Sequence, residues 1–287
     1  MTDLPRFGVR SMVAPLRRAL VVRPVLRGDF TAAGWRQPDP VGLARQHDAF
    51  VELLDGLGVE VVVGEPVDGM VDACFAYDPV FVTGHGAIGL RMAKPARRGE
   101  PDVLAARVEA AGVPMLGRLT APATADGGDM CWLDDTTLAV GRGYRTNAPA
   151  HAQLAELLRP EGVTVERADL PHHRGASHVM HLMSVVSPVT EDLAVVFEPL
   201  APVPLLELLA DRGYRTVPCD PDELDLQGCN VLAVRPGVAV MADSAPRTRA
   251  ALERHGVEVH TYAASEINKG DGGPTCLTRP LWRAADV

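Results

Sequence analysis

The sequence contains no apolar run long enough to cross a bilayer, which argues against a helical membrane protein. No continuous apolar stretch follows its N-terminal arginines, so no secretory leader is expected. The five cysteines (Cys74, Cys131, Cys219, Cys229 and Cys276) are odd in number and lack paired spacing. That argues against a disulfide framework and for a reducing, cytoplasmic setting in which at least one thiol is available. Basic charge is in deficit: 28 Lys and Arg against 37 Asp and Glu give a net charge of −9. Such a balance disfavours a nucleic-acid binder, which carries a basic face, and suits a cationic substrate. No Pro/Ser-rich linker interrupts the chain, so residues 1–287 are expected to form one domain. What is present, 47% apolar and 23% charged residues, is ordinary for a folded protein with a substantial core.

One pattern recurs five times. A helical segment ends at a glycine and a short β-like run follows: Gly58-Val59-Glu60-Val61, Gly112-Val113-Pro114-Met115, Gly162-Val163-Thr164-Val165, Gly213-Tyr214-Arg215-Thr216 and Gly256-Val257-Glu258-Val259. Glycine suits the residue after a helix, where φ is often positive. The β-branched residues that follow favour extended backbone. The first helix is the clearest. Asp39 can cap it, Pro40 suits its first turn, and Leu43, His47, Phe50, Val51 and Leu54 recur at helical spacing. Further helices are expected near Glu100–Ala111, Ala148–Leu158, Ala201–Arg212 and Pro246–His255. Apolar runs such as Ala19–Val22, Val80–Thr83, Ala87–Arg91, Thr137–Gly141, Leu193–Phe197, Val231–Val234 and Val238–Met241 read as strands. The repeat glycines lie 43 to 54 residues apart, the scale of repeated supersecondary units, although ordinary α/β alternation produces a similar rhythm.

Three segments carry chemistry-bearing residues. Asp126-Gly127-Gly128-Asp129 reads on its own most simply as a turn stabilised by its aspartates. His178-Val179-Met180-His181-Leu182-Met183-Ser184, with His172 and His173 upstream, matches no standard metal-ligand spacing, so no metal is expected. Lys269-Gly270-Asp271-Gly272-Gly273-Pro274-Thr275-Cys276 lacks the Gly-Lys-Ser/Thr ending of a phosphate loop. It places an accessible thiol between a loop and a strand, where a histidine could sustain a thiolate.

Together these segments resemble the guanidine-modifying enzymes of the pentein fold, in particular the dimethylarginine dimethylaminohydrolases. The shared strings are Asp126-Gly127-Gly128-Asp129, His181-Leu182-Met183-Ser184 and Thr275-Cys276. Arg45-Gln46-His47, Asp72-Ala73-Cys74-Phe75-Ala76-Tyr77-Asp78, Pro95-Ala96-Arg97-Arg98-Gly99-Glu100 and Gly143-Tyr144-Arg145-Thr146-Asn147 extend the match. It covers roughly residues 15 to 285, in the family's order. The resemblance implies one catalytic domain with an α/β fold, a fivefold pseudo-symmetric propeller of ββαβ units. It implies Cys276 as nucleophile, His181 as general acid/base and Asp126 as the carboxylate that orients the histidine. It further implies Asp78 on the guanidinium, Arg97 and Arg145 on the α-carboxylate, Asp72 near the α-ammonium or guanidinium, and a lid over Arg27–Trp35.

The expected reaction is hydrolysis of an Nω-methylated arginine to citrulline and an amine, through a thiouronium on Cys276. No cofactor is implied. The expected partner is a small guanidino amino acid, with no nucleic acid and no membrane, and a homodimer is compatible with it. Two departures bear on the substrate. Tyr77 stands where many dimethylargininases have Glu, and Met183 stands where arginine deiminases and amidinotransferases generally have Asp. Both substitutions are expected to leave the guanidinium site with fewer acids, favouring a methylated substrate. Arginine deiminase or amidinotransferase activity on the same scaffold is the alternative, and a non-catalytic pentein binding protein a further one.

Overall fold

The computed structural model describes residues 6–178 and 180–284. Its first strand and helix are β1 (Leu16–Val22) and α1 (Pro40–Gly56), followed by β2 (Glu60–Gly64). Three complete ββαβ units come next. They are β3 (Val80–Val82), β4 (Ala87–Gly89), α2 (Glu100–Ala110) and β5 (Met115–Arg118); β6 (Met130–Trp132), β7 (Thr137–Arg142), α3 (Ala148–Leu158) and β8 (Thr164–Asp169); and β9 (Val186–Thr190), β10 (Leu193–Val196), α4 (Val203–Asp211) and β11 (Arg215–Pro218). A fourth unit comprises β12 (Leu232–Arg235), β13 (Val238–Ala242), α5 (Pro246–Arg254) and β14 (Glu258–Tyr262). A short helix α6 (Pro274–Leu277) then leads into β15 (Thr278–Arg283).

These strands form five three-stranded sheets, each with the middle strand antiparallel to one neighbour and parallel to the other. Four sheets are built from consecutive strands. The fifth has the order β15-β1-β2, so the last strand completes the unit that the first strand begins, with Leu20 opposite Arg279 and Val21 opposite Thr278. First strands of neighbouring units meet, β9 with β12 and β15 with β3. The result is the expected mixed α/β fold with fivefold repetition.

Local sequence explains the units. All five repeat glycines have positive φ, between 71° and 87°, a backbone state that is strained for residues bearing a Cβ. Each of the five long helices has a proline in its first turn, where a missing N–H costs nothing. Asp39 caps α1 by accepting from Gly42 N at 2.7 Å, and Asn147 caps α3 by accepting from Ala150 N. The helices start and stop within about two residues of the expected positions. Strands β6, β9 and β15, by contrast, lie outside the apolar runs picked from sequence.

Two buried arginines tie units together. Arg279 donates to the Tyr77 and Val80 carbonyls at 3.0 and 2.7 Å, and its guanidinium lies 4.1 Å over the Tyr77 ring. Arg283 donates to the carbonyls of Ala14 and Ala233. No helix among the described residues is long and apolar enough to cross a membrane.

Candidate active site

The first strand of each unit is preceded by a short loop or turn, and those segments converge. Asp78 lies two residues before β3, Asp126 four before β6, His181 five before β9, and Cys276 two before β15. Asp78, His181 and Cys276 line one cavity of about 230 Å³, together with Asp72, Arg97 and Arg145. Asp126 is fully buried behind His181.

Backbone contacts fix this arrangement. Tyr77 N donates to the Cys276 carbonyl at 3.0 Å, and Gly127 N donates to the Asp78 carbonyl at 2.9 Å. Gly128 N reaches the Asp78 carboxylate at 2.9 Å. The paired glycines owe their identity to crowding. A Cβ on Gly127 would lie 2.2 Å from the Tyr77 carbonyl oxygen, and one on Gly128 would lie 2.4 Å from His181 Nδ1. Asp129 holds the histidine's turn from below, accepting from Leu182 N at 2.9 Å and from Thr146 Oγ1 at 2.6 Å. Burial pushes Asp129 up to about 6, against the pull of His181 and Thr146.

His181 Nε2 lies 3.2 Å from Asp126 Oδ2, and Arg145 donates to the same oxygen at 3.2 Å. Burial alone would lower the His181 pKa, but Asp78, the Asp126 hydrogen bond and Asp129 outweigh it and hold the imidazole above its ordinary value. Burial would likewise raise Asp126, yet His181, Arg97 and Arg145 carry it below the usual carboxylate range. Both shifts favour an imidazolium against a carboxylate. Burial and then the Asp78 charge push the Cys276 thiol up to about 11, opposed by the Gly273 N–H, Asn230 and Arg97. Burial therefore favours the protonated thiol at Cys276.

The structure gives several residues more specific positions than the sequence did. Asp72 lines the cavity, but its carboxylate is engaged by the loop above it. Oδ1 accepts from Trp35 Nε1 at 2.7 Å, and Oδ2 accepts from Lys94, which also donates to the Ala33 carbonyl. Ala32, Ala33 and Gly34 form part of the cavity wall, and Asp72 fastens that stretch through Trp35 and Lys94. Arg97 is buried against acids rather than open to a carboxylate. It makes a two-oxygen contact with Glu100 and donates to Asp78 at 2.6 Å.

Tyr77 and Met183 do not line this cavity. The Tyr77 hydroxyl donates to the Met130 carbonyl and its ring faces Arg279. Met183 is buried in the apolar cluster around Leu182, Val185 and Val186. The expectation that these two positions tune the guanidinium pocket is thereby corrected: the tyrosine side chain is directed into the interior, and the turn after His181 rotates Met183 into the core.

Sequence reasoning gave no role to Ser177, Lys94 and Asp271, which also line the cavity. Asp271 alone had a visible signal, its place in the glycine loop. The loop glycines make room for aromatic packing: Cβ atoms on Gly270 and Gly272 would lie 2.2 Å from Trp35 and Phe75, two rings stacked at 5.2 Å. His173 and His178 line a neighbouring cavity instead. Among the described residues no group of His, Cys, Asp or Glu side chains is arranged to hold a metal ion. All five cysteines are free, and four of them are buried.

The arginine deiminase family model matches residues 65–203 and 204–283. The N(G),N(G)-dimethylarginine dimethylaminohydrolase of Streptomyces coelicolor is 32% identical over 267 residues, covering 92% of this chain and 96% of that one. The arginine deiminase of Listeria welshimeri is 27% identical over 260 residues, covering 76% of this chain and 63% of that one. Among solved structures, the dimethylarginine dimethylaminohydrolase of Pseudomonas aeruginosa, a mutant complexed with citrulline, superimposes with a TM-score of 0.77 at 23% identity, covering 92% of this chain and 98% of that one.

Proposed function

From the chain's membership of the arginine deiminase and dimethylargininase family of C–N hydrolases, we propose that it hydrolyses Nω-methylated arginine to citrulline and a methylamine, with Cys276 as nucleophile. The observation that carries the reading is the single cavity onto which Cys276, His181 and Asp78 all open. The end-to-end match to the Streptomyces dimethylargininase supports the methylated substrate, whereas the deiminase of Listeria is matched over 63% of its length.

Each residue has a definite task. Asp78 pairs with the substrate guanidinium, a planar cation suited to a carboxylate. That pairing offsets the Asp78 charge, which disfavours thiolate, and brings a positive charge to the sulfur. Cys276 therefore ionises as substrate binds, its proton leaving to solvent. The thiolate adds to the guanidinium carbon. The amine departs with a proton from the His181 imidazolium. A water that gives its proton to the now neutral His181 attacks the thiouronium carbon, and the C–S bond breaks to release citrulline and Cys276. Asp126 holds the imidazole in place and stabilises its charged form. Arg145 is the arginine left to meet the α-carboxylate, since Arg97 is held by Glu100 and Asp78, while the segment over the cavity excludes bulk water.

Arginine deiminase activity is the second reading, favoured by the family model. Citrulline and amine release from asymmetric dimethylarginine, monomethylarginine and arginine separates the two. A higher kcat/KM on arginine than on either methylated form would overturn the substrate assignment and leave the nucleophile standing. Cys276→Ser is expected to lose turnover, and normal activity of that variant would overturn the nucleophile.

A further inference from the structure

The ring has five units, and four of them place a candidate residue just ahead of their first strand. The remaining first strand is β12, and the residue two positions ahead of it is Asn230. Its side chain is buried, and its Nδ2 lies 3.1 Å from Cys276 Sγ. We propose that Asn230 is a catalytic hydrogen-bond donor to the Cys276 sulfur, stabilising the thiolate through addition and release.

The orientation of the amide is dictated by its surroundings. Asn230 Oδ1 lies 3.0 Å from Thr275 N. A backbone N–H can only donate, so the atom facing it must be the amide oxygen, and the NH₂ group necessarily faces sulfur. Thr275 is itself anchored, its hydroxyl donating to the Val231 carbonyl, so the amide and the thiol are held in register from both sides. Space for the amide is reserved as well: a Cβ on Gly273 would lie 2.6 Å from Asn230 Cγ, which explains the last glycine before Pro274. His181 Nε2 is directed to Asp126 rather than to the sulfur. The amide carries no charge, so it stabilises an anion at sulfur without repelling the cationic substrate. A lysine or arginine there would repel it.

The inference rests on Cys276 being the nucleophile, and its test does not require turnover. Asn230→Asp keeps an oxygen for Thr275 N but sets a carboxylate oxygen against the sulfur; Asn230→Ala removes both the donor to sulfur and the acceptor for Thr275 N. The rate of Cys276 alkylation by iodoacetamide is measured against pH by mass spectrometry of the Cys276 peptide, alongside thermal unfolding. The profile is expected to move up by about one to two pH units in Asn230→Ala, the equivalent of one hydrogen bond to a charged group. The rate at pH 8 then falls about 10- to 100-fold, and further in Asn230→Asp. A residue that merely pins the loop would lower the melting temperature and leave the profile in place. Folded variants whose profiles superimpose on that of the wild type overturn the proposal, as does failure of both variants to fold. Should the methylated-arginine reading fail, these alkylation profiles are unaffected; turnover by Cys276→Ser would remove both.

Discussion

Gly128→Ala adds one carbon directly against the His181 ring. The new Cβ would lie 2.4 Å from His181 Nδ1 and 3.1 Å from Asp78 Oδ1, where ordinary contact begins at 3.4 Å. The imidazole must therefore retreat by about 1 Å, and a misplacement of that size costs roughly 100-fold in rate. The overpacking costs about 1–3 kcal/mol of stability. Steady-state kinetics on asymmetric dimethylarginine should show kcat down about 100-fold in a protein that still folds. Two other glycines calibrate the result. A Cβ on Gly127 meets the Tyr77 carbonyl at 2.2 Å and the Asp78 Cα at 3.1 Å, both backbone, so Gly127→Ala should fail mainly through folding. A Cβ on Gly56 meets nothing within 4 Å, so Gly56→Ala, at the end of α1, should keep full activity. A Gly128→Ala enzyme with kcat within about three-fold of wild type would refute the crowding argument.

Other perturbations follow from the same geometry. Asp72→Asn weakens the hold on Lys94 and, through it, on the Ala33 carbonyl. KM should rise about ten-fold, the scale of one lost charge-assisted hydrogen bond, and proteolysis should cut more readily within residues 27–36; an unchanged KM with unchanged proteolysis contradicts the fastening role. Met183→Asp should lower the melting temperature sharply, because an unpaired carboxylate would enter an apolar cluster; a stable variant with a new preference for arginine would restore the pocket role denied to Met183 above. Burial lowers His47 from 6.5 to about 4. The unfolded chain therefore binds a proton that the folded chain does not, so this contribution to stability is complete above pH 6.5 and declines as pH falls to about 4. The total is roughly 3 kcal/mol. Chemical denaturation across that range should show the decline, and His47→Leu should flatten it.

The parts of the fold that could be read in the sequence were those set by local backbone demands. Gly58, Gly112, Gly162, Gly213 and Gly256 mark helix ends because a positive φ there is a property of one residue. Asp39 and Pro40 mark a helix start for a similar reason. Strands are expected after His181 and Cys276, but Pro188 and Pro280 beside polar residues blur the alternation of β9 and β15, so their bounds and partners come from packing. The closing of β15 onto β1 joins residues more than 250 positions apart, which no local pattern encodes. Within the site, the strings around Asp126, His181 and Cys276 stood out by resemblance. Asn230 sits in Gly228-Cys229-Asn230-Val231 without any periodic or motif signal, and its contact spans 46 positions. Tyr77 and Met183 misled because adjacency to a site residue in sequence does not say which way a side chain points.

Closing the ring with β15 ties the proposed chemistry to the docking of that strand on β1. Cys276 lies two residues ahead of the strand that docks on β1. Asp78, Asp126 and His181 all precede that thiol by more than ninety residues in the chain. A chain cut between His181 and Cys276 would keep the acids and the imidazole but lose the proposed nucleophile together with β15. On the proposed assignment, turnover would therefore require β15 to be docked on β1.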